Sequence, residues 1–473
     1  MIRRQYLILV ALLGAFVAAR LEIWSSGRTL KTFDAFSYAY RGDPQFDRGP
    51  LVSFTGHAPR LWGAPLLFAA LPDDTTRFLA QWAIGTVAWG VLAWALWAAL
   101  HGLTARIPAA SGVLLLGVMQ QVATWDFMVL SESLSISLGV LTLALFVRWS
   151  CTESRWALAL MTLSAVWWTF TRGEIRIAVA VLTAALAWIA WRRRAQWKVL
   201  AAVIVVLVVA MSWVTLITPT QSATFARWGF SGLPLDQETL LYRLRLQVLP
   251  NPEIKRFYQD ELGMPACPAL DQIAAGKRWD MVRFVDEYKK CPSLEAWGAE
   301  NSMTSGTQFA LREPGLFAEH TRKLAPELFG GAIYGQVKPV VPKSVYTTVF
   351  PERQWVVPFV FGGFLIGLAA ALLAGAWRKH RTLLFTAVTV VVCSLATTLA
   401  GLVYTMGENG RFGIQEAVGM RIATVILFAI AADALLGRWR RSESSESGPD
   451  LDGDSDVAAG PASTTPASGS SSS

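Results

Sequence analysis

The sequence predicts an all-α membrane protein of about ten transmembrane helices with a small, mostly helical extracytoplasmic domain. Of its 473 residues, 53% are hydrophobic and only 16% are charged, whereas about 25% are charged in a typical soluble domain. The apolar residues also fall into blocks of roughly 18–24, the length that crosses a hydrocarbon core of about 30 Å. These observations exclude a soluble enzyme, a disordered regulator and a small disulfide-rich protein.

The ten predicted spans differ in strength. The second and seventh are unambiguous, whereas the third to sixth are short or closely spaced, so that two of them are candidates for a tilt or a break. The spans are residues 5–24, 78–100, 107–125, 127–147, 156–171, 175–191, 199–218, 355–377, 382–404 and 418–437.

Basic residues in the short connections predict the orientation. They occur in alternate connections on the side of the N-terminus, which the positive-inside rule assigns to the cytoplasm. Both termini are therefore predicted to be cytoplasmic. Residues 1–24 also resemble a signal peptide, but Arg20 and Glu22 come straight after the apolar run and favour an uncleaved helix. In either case residues 25–77 are expected outside the cytoplasm.

The net charge of +8 does not indicate a nucleic-acid partner. The bases stand beside the apolar blocks, where orientation in the membrane explains them. The C-terminal segment 442–473 carries six acidic residues and no Lys or Arg. Since it is otherwise Ser, Gly, Pro and Ala, we expect a disordered cytoplasmic tail.

Four regions follow from these assignments. Residues 1–218 form an N-terminal transmembrane core of about seven helices, and residues 355–441 contribute about three more. Residues 219–354 lie between them as an extracytoplasmic domain with helical periodicity interrupted by Pro-rich turns. Residues 442–473 are the tail.

Two of the four cysteines, Cys267 and Cys291, lie in the predicted extracytoplasmic domain, whereas Cys151 and Cys393 lie at or in the membrane. A pair confined to an oxidising compartment favours one disulfide, which would close a loop of about 25 residues and contribute about 3 kcal/mol. Two free buried thiols are the alternative.

Charged residues recur in four predicted outer turns at a similar depth. Since charges near the membrane core are costly and usually functional, their recurrence predicts a site that opens outward at the membrane surface. The turns contain Asp34; Asp126 and Glu132; Arg172, Glu174 and Arg176; and Glu408, Arg411, Glu416 and Arg421.

Structural explanations remain open for these residues. Asp34 would also serve as a helix cap, Glu132 as a structural partner of Arg172, and the two arginines Arg172 and Arg411 as interfacial anchors. His57 is expected more as a loop residue than as a catalyst. The other histidines show no ligand spacing, so no histidine-based metal site is expected.

Such a site would suit the transfer of a sugar from an activated donor that is delivered through the membrane. The chain has no nucleotide-binding motif, and polyprenyl-phosphate sugars are donors of that kind. Transfer needs a carboxylate that accepts the proton of the acceptor hydroxyl, arginines that hold the leaving phosphate, and an apolar groove for the lipid.

The layout resembles the GT-C class of membrane glycosyltransferases, the lipid-phosphosugar-dependent group related to protein mannosyltransferases and aminoarabinose transferases. The resemblance covers most of residues 1–440. It rests on TFDAFSYAY in the first outer loop, VLSESLSISL at a helix start, the TRGE turn, and ENGRF before the last helix.

The resemblance implies specific roles. Asp34 would be the general base, Glu132 would bind the acceptor or a metal, and Arg172 and Arg411 would contact the donor phosphate, with Glu408 orienting Arg411. The other supporting residues would be Asp126, Glu174 and His57. Ala35 follows Asp34 where many relatives carry a second acid, which puts a divalent cation in doubt, so we do not predict a metal, and no other cofactor is expected.

The expected function is transfer of a sugar, with inversion, from a polyprenyl-phosphate donor to a glycan, protein or lipid acceptor at the extracytoplasmic face of a multi-pass bacterial cell-membrane protein. Membrane lipid is the other expected partner. Two alternatives remain: a transporter or lipid flippase, which commonly has two related halves and charges near the midplane, and a non-catalytic envelope scaffold.

Overall fold

The structure, a computed structural model, is helical along nearly all of the chain that it describes. The described residues are 2–30, 32, 34–39, 60–226, 231–277, 280–331, 333, 337–404 and 408–446. These residues contain no β-strand, and the predicted all-α membrane fold is confirmed. His57 and residues 447–473 of the predicted tail lie outside the described residues, so these predictions stay predictions. Residues 442–446, predicted as the start of the disordered tail, instead continue the last helix.

All ten predicted spans correspond to helices. We label them α1 to α10 in chain order. Their bounds are Ile2–Ser26 (α1), Asp74–Ala99 (α2), Leu103–Val118 (α3), Glu132–Thr152 (α4), Arg155–Thr169 (α5), Ile175–Arg192 (α6), Trp197–Phe225 (α7), Arg353–Leu373 (α8), Arg381–Tyr404 (α9) and Ile414–Glu446 (α10).

Not every one of these helices is long enough to cross a membrane by itself. In the described ranges, eight helices are sufficiently long and apolar. A ninth crossing requires α3 together with Gln120–Phe127, a pair bent by 52° at Met119, whose backbone is extended. With 15 residues, α5 spans only about 22 Å. The expected irregularities among the third to sixth spans are thus a break after α3 and a short α5.

The two most enclosed membrane helices are α4 and α10. Helix α2 packs along α4, which also contacts α5, while α8 and α9 pack against α10 and α3 joins it from the other side. A hydrogen bond from Ser135 on α4 to Gln415 on α10 spans 2.7 Å. Because each of these residues lies in the first turn of its helix, α4 and α10 begin at the same end of the bundle.

Most of the segment between α7 and α8 folds into short helices around a hydrophobic core of its own, separate from the core of the bundle, whereas its last two helices pack against the bundle core. Four of these helices have a proline in their first turn, where the missing N–H costs nothing. The helices are Leu235–Arg243, Pro252–Asp260, Pro268–Ala275, Met281–Lys289, Pro292–Asn301, Ser305–Arg312, Pro314–Gly330 and Lys343–Val349.

A disulfide joins Cys267 to Cys291, as predicted, and Cys151 and Cys393 are free. Arg243 fastens this helical domain to the bundle. Its Nη1 atom donates to the carbonyl of Val403 on α9 at 2.5 Å, and its Nη2 atom donates within the domain. The domain therefore sits against the end of α9, close to the connection between α9 and α10.

Candidate active site

Four parts of the bundle meet at the end where α4 and α10 begin, and they carry most of the predicted site residues. These parts are the connection between α1 and α2, the first residue of α4, the turn between α5 and α6, and the connection between α9 and α10. The residues that they bring together are Asp34, Arg60, Glu132, Arg172, Glu174, Glu408 and Arg411. We call these seven residues the charged cluster.

Arg411 lies at the centre of the charged cluster. It belongs to the short helix Asn409–Phe412 and pairs with three carboxylates. Its Nη1 atom lies 2.6 Å from Asp34 Oδ2 and 3.0 Å from Glu408 Oε2, and its Nε atom donates to Glu132. Burial alone would lower the pKa of Arg411, but these carboxylates raise it well above its ordinary value.

Asp34 precedes the short helix Ala35–Ala39, and its side chain faces two arginines. Besides Arg411, Arg60 approaches it at 3.5 Å, while the Asp34 carbonyl accepts from the backbone N–H of Ser37. Burial raises the pKa of Asp34, but Arg60 and Arg411 outweigh this effect and hold it below the ordinary value. Asp34 is therefore ionised at neutral pH, and its side chain forms ion pairs with two arginines in addition to any role as a helix cap.

Glu132 is the most enclosed carboxylate of the charged cluster, with 1% of its side chain exposed. One oxygen, Oε1, serves Arg411 and lies 3.8 Å from Arg172 Nη1. The other oxygen, Oε2, has no hydrogen-bond partner among the described residues. Because a buried acceptor without a partner costs about 1–3 kcal/mol, this oxygen is a candidate for contact with a substrate.

Arg172 offers a matching unused donor. Its Nε atom lies 2.6 Å from Glu174 Oε1, whereas its Nη2 atom is buried and has no partner in the described part of the chain. The ring of Phe412 lies 4.8 Å from the guanidinium carbon of Arg172 and 5.8 Å from that of Arg411. This aromatic face, with cation–π contacts on both arginines, fixes how the two cations are spaced.

Glu408 differs from Asp34 in its protonation tendency. Burial raises the pKa of Glu408, and although Arg411 opposes this, the nearby Asp34 and Glu132 charges add to the increase. Three carboxylates around one guanidinium therefore have unequal acidities: Asp34 is held ionised, whereas Glu408 takes up a proton more readily.

Asp126 is not part of the charged cluster. It is buried and bonds to Arg20 Nη2 at 2.7 Å and to Ser133 at 2.5 Å. Arg20 also donates to two backbone carbonyls, those of Trp82 and Gly117. The contacts give Asp126 a role in joining α1, α2 and α4, and nothing in them supports its predicted role beside the site.

Sequence reasoning missed Arg60, Tyr38 and Phe412. The guanidinium of Arg60 stacks over the Tyr38 ring at 4.7 Å, and the Tyr38 hydroxyl lies 3.1 Å from that of Ser131. Nothing in the sequence separates Arg60 from the other bases of the first loop. Phe412 follows Arg411 directly, but its contact with Arg172 requires two distant turns to meet.

An apolar cavity of about 100 Å³ lies between α4, α5, α6, α9 and α10. Most of its lining residues are apolar, and Trp168, Gln415 and Glu416 line its polar end. That end adjoins the charged cluster, because Ser135, one turn beyond Glu132, bonds to Gln415 and to Trp168. The charged cluster and the apolar cavity are therefore neighbours in the bundle.

The fold and these contacts define the class of the protein: it is a multi-pass, all-α membrane protein with a partly buried charged cluster at one end of its helix bundle. A comparison with models of protein families and a search of curated proteins both found no match to this chain.

Proposed function

We propose that the protein is a membrane glycosyltransferase of the GT-C type, which transfers a sugar from a polyprenyl-phosphate donor to an acceptor hydroxyl with inversion. The observation that carries this proposal is the adjacency of the charged cluster and the apolar cavity. The first supplies carboxylates and guanidinium groups, and the second supplies an apolar space inside the bundle. A lipid phosphosugar needs both.

In the proposed reaction Asp34 accepts the proton of the acceptor hydroxyl. The hydroxyl oxygen attacks the anomeric carbon, and the bond from that carbon to the phosphate oxygen breaks. The electron pair leaves with the polyprenyl phosphate, which Arg172 and Arg411 stabilise as negative charge develops. The products are the glycosylated acceptor and the polyprenyl phosphate.

The unused donor of Arg172, its buried Nη2 atom, would be the first contact of the donor phosphate. Arg411 is already surrounded by three carboxylates, so a phosphate would compete with them. If Arg411 turns toward the phosphate, its hold on Asp34 weakens and the pKa of Asp34 moves back toward its ordinary value. Donor binding would in this way make Asp34 a stronger base.

The helical domain would help to select the acceptor. Its helix Leu235–Arg243 places Glu238 close enough to Asp34 for the two charges to interact; burial raises the pKa of Glu238, and Asp34 adds to the increase. The variant Glu238→Gln is expected to raise the KM for the acceptor without changing donor hydrolysis. The exposed residue Glu319 provides the control, Glu319→Gln. An unchanged acceptor KM in Glu238→Gln would contradict this role.

Transport has less support. Arg421 and Asp433 in the last helix are compatible with a transport path, but both contact neighbouring connections. Arg421 donates to the carbonyls of Phe329 and Val349, and Asp433 accepts from the backbone of Gly102. No observation specifically favours a scaffold either.

The decisive experiment measures transfer directly. Purified full-length protein in lipid nanodiscs is incubated with radiolabelled polyprenyl-phosphate sugars and a crude envelope fraction as acceptor. We expect transfer by wild type and by Asp271→Asn, which changes a carboxylate that is 80% exposed. Asp34→Asn should lose about 100-fold or more. Turnover of no donor by wild type would overturn the proposal, whereas equal turnover by Asp34→Asn would move the base to Glu132.

A further inference from the structure

A second group of polar residues lies at the opposite end of the bundle. Helix α10 runs from the charged cluster to Asp433, which is 17 residues beyond Glu416 and therefore about 26 Å away along the helix axis. Two histidines approach Asp433 from other segments: His101 from the connection between α2 and α3, and His380 from the connection between α8 and α9.

We propose that His101, His380 and Asp433 bind a divalent transition-metal ion of the zinc type. The three side chains offer two imidazole nitrogens and a carboxylate oxygen, all within 4.8 Å of one another. Two imidazoles with one carboxylate are a ligand set that zinc commonly takes, with a fourth position left for water. Magnesium and calcium prefer oxygen ligands, so they fit this set poorly.

The distances between the ligand atoms suit a tetrahedral ion. Asp433 Oδ2 lies 2.9 Å from His380 Nε2 and 3.4 Å from His101 Nδ1. Two ligands that each bond zinc at about 2.0–2.1 Å with tetrahedral geometry are about 3.3 Å apart. The His101 nitrogen is therefore at the separation from the carboxylate oxygen that a shared ion requires, and the His380 nitrogen lies closer than this, so that a small side-chain movement is needed.

Burial supplies the second, independent observation. His380 and Asp433 are each 4% exposed. The Nε2 atom of His380 makes no hydrogen bond of normal geometry with any described residue, although it lies beside Asp433. The nitrogen lies 2.9 Å from Asp433 Oδ2, and an ion between the two atoms would be a ligand partner for both.

The backbone already orients the carboxylate. Asp433 Oδ1 accepts a hydrogen bond from the N–H of Gly102 at 2.7 Å, which leaves Oδ2 directed toward the histidines. Hydrogen bonds to the ligating carboxylate are typical of protein metal sites and strengthen binding. The side chain of His101 is 67% exposed, so the open coordination position would face solvent and an ion could enter from there.

One cation competes for this position. Lys379 Nζ lies 3.1 Å from Asp433 Oδ2, and its side chain is 35% exposed. The lysine side chain is long and flexible, so it can turn toward solvent when an ion binds. This competition gives the proposal a distinctive consequence: removal of the lysine should strengthen metal binding rather than weaken it.

A bound ion would join three connections that are far apart in the sequence. His101 and Asp433 are 332 residues apart, and His380 belongs to the connection between α8 and α9. The ion would therefore hold the ends of α2, α8 and α10 together. Ligands that bind only the folded state stabilise it by mass action, so the ion should raise the thermal stability of the bundle.

The test uses the full-length protein, purified with a tag that contains no histidine and treated with a chelator. Zinc is titrated against a chromophoric competitor, and bound metal is counted by mass spectrometry after gel filtration. We expect one zinc ion per chain in wild type and a loss of affinity of about 100-fold or more in Asp433→Asn and His380→Ala, since even outer-shell changes cost 10–100-fold. Lys379→Ala should bind more tightly than wild type.

Two further variants keep the result interpretable if a buried substitution disturbs folding. His101→Ala changes an exposed side chain and should lower zinc affinity in a folded protein. His320→Ala removes a histidine of the helical domain and should bind like wild type. No zinc binding by wild type at micromolar concentrations, or equal affinity in wild type and His101→Ala, would overturn the proposal. Neither readout depends on glycosyl transfer.

Discussion

Replacing Arg411 with lysine tests the charged cluster most directly. The guanidinium uses Nη1 for Asp34 and Glu408 and Nε for Glu132, so it contacts carboxylates on two sides. A lysine carries a single nitrogen at the end of a flexible chain and cannot reproduce this fork. Arg411→Lys keeps the charge but should leave at least one carboxylate without its partner.

The contacts set the expected magnitude. A hydrogen bond to a charged group contributes about 1.5–3 kcal/mol net. The contact with buried Glu132 should approach the upper value, because its second oxygen already lacks a partner. Asp34 and Glu408 have side chains that are 32% and 25% exposed. Hydrogen bonds to water therefore partly replace their lost contacts with Arg411. We expect Arg411→Lys to lower the free energy of unfolding by about 2–4 kcal/mol.

The assay is equilibrium unfolding in mixed micelles, with the helical signal as the readout. Arg193→Lys is the matched control, because Arg193 pairs with Glu153 at 2.7 Å on the surface, with side chains 31% and 54% exposed. That substitution should cost no more than about 1 kcal/mol. Equal losses in the two variants would refute the reasoning, since they would mean that the buried position of Arg411 adds nothing.

Four further predictions follow from other contacts. The stability difference between wild type and Asp34→Asn should be full above about pH 3.9 and should shrink as pH falls through the lowered pKa of folded Asp34; a difference that grows in acid would contradict this assignment. Arg172→Lys should raise the KM for the donor at least about tenfold in a transfer assay, with acceptor KM unchanged, because the planar fork of its guanidinium is lost. Asp126→Asn should destabilise the bundle by about 3–5 kcal/mol, because it breaks a buried ion pair, and the surviving folded fraction should keep wild-type donor affinity. Reduction of the Cys267–Cys291 disulfide should lower the stability of the helical domain by about 3 kcal/mol, as limited proteolysis with and without reductant would measure; equal cleavage would argue against it.

The composition of the chain and its apolar blocks were sufficient to predict the helices. Each of the ten predicted segments is helical, and the predicted helical domain has its own core and the expected disulfide. Transfer of apolar side chains out of water depends on local composition, and helical periodicity extends over neighbouring residues. Both signals can therefore be read without knowledge of the partners.

The break after α3 was predicted only as one option among four closely spaced spans. Its position at Met119 depends on how the following residues pack, and this packing cannot be inferred from apolar composition. The short α5 agrees with its predicted span, since the helix Arg155–Thr169 differs from residues 156–171 by only one or two residues at each end.

The sequence did not indicate which charged residues form ion pairs with each other. Asp126 and Glu132 are six residues apart and were assigned to one site, yet Asp126 pairs with Arg20 and Glu132 with Arg411. Asp126 lies in the short helical turn Thr124–Phe127, whereas Glu132 begins α4, and the non-helical residues 128–131 between them direct the two side chains to different neighbours. Sequence proximity gave no information on this choice.

By itself, then, the sequence determined the class of the protein, its helices and the types of residue available for chemistry, because these depend on local hydrophobicity and periodicity. Only the tertiary structure decided which charges meet. Asp34 lies 377 residues from Arg411, and His101 lies 332 residues from Asp433. Contacts over such separations depend on the packing of whole helices, and no local pattern of residues specifies that packing.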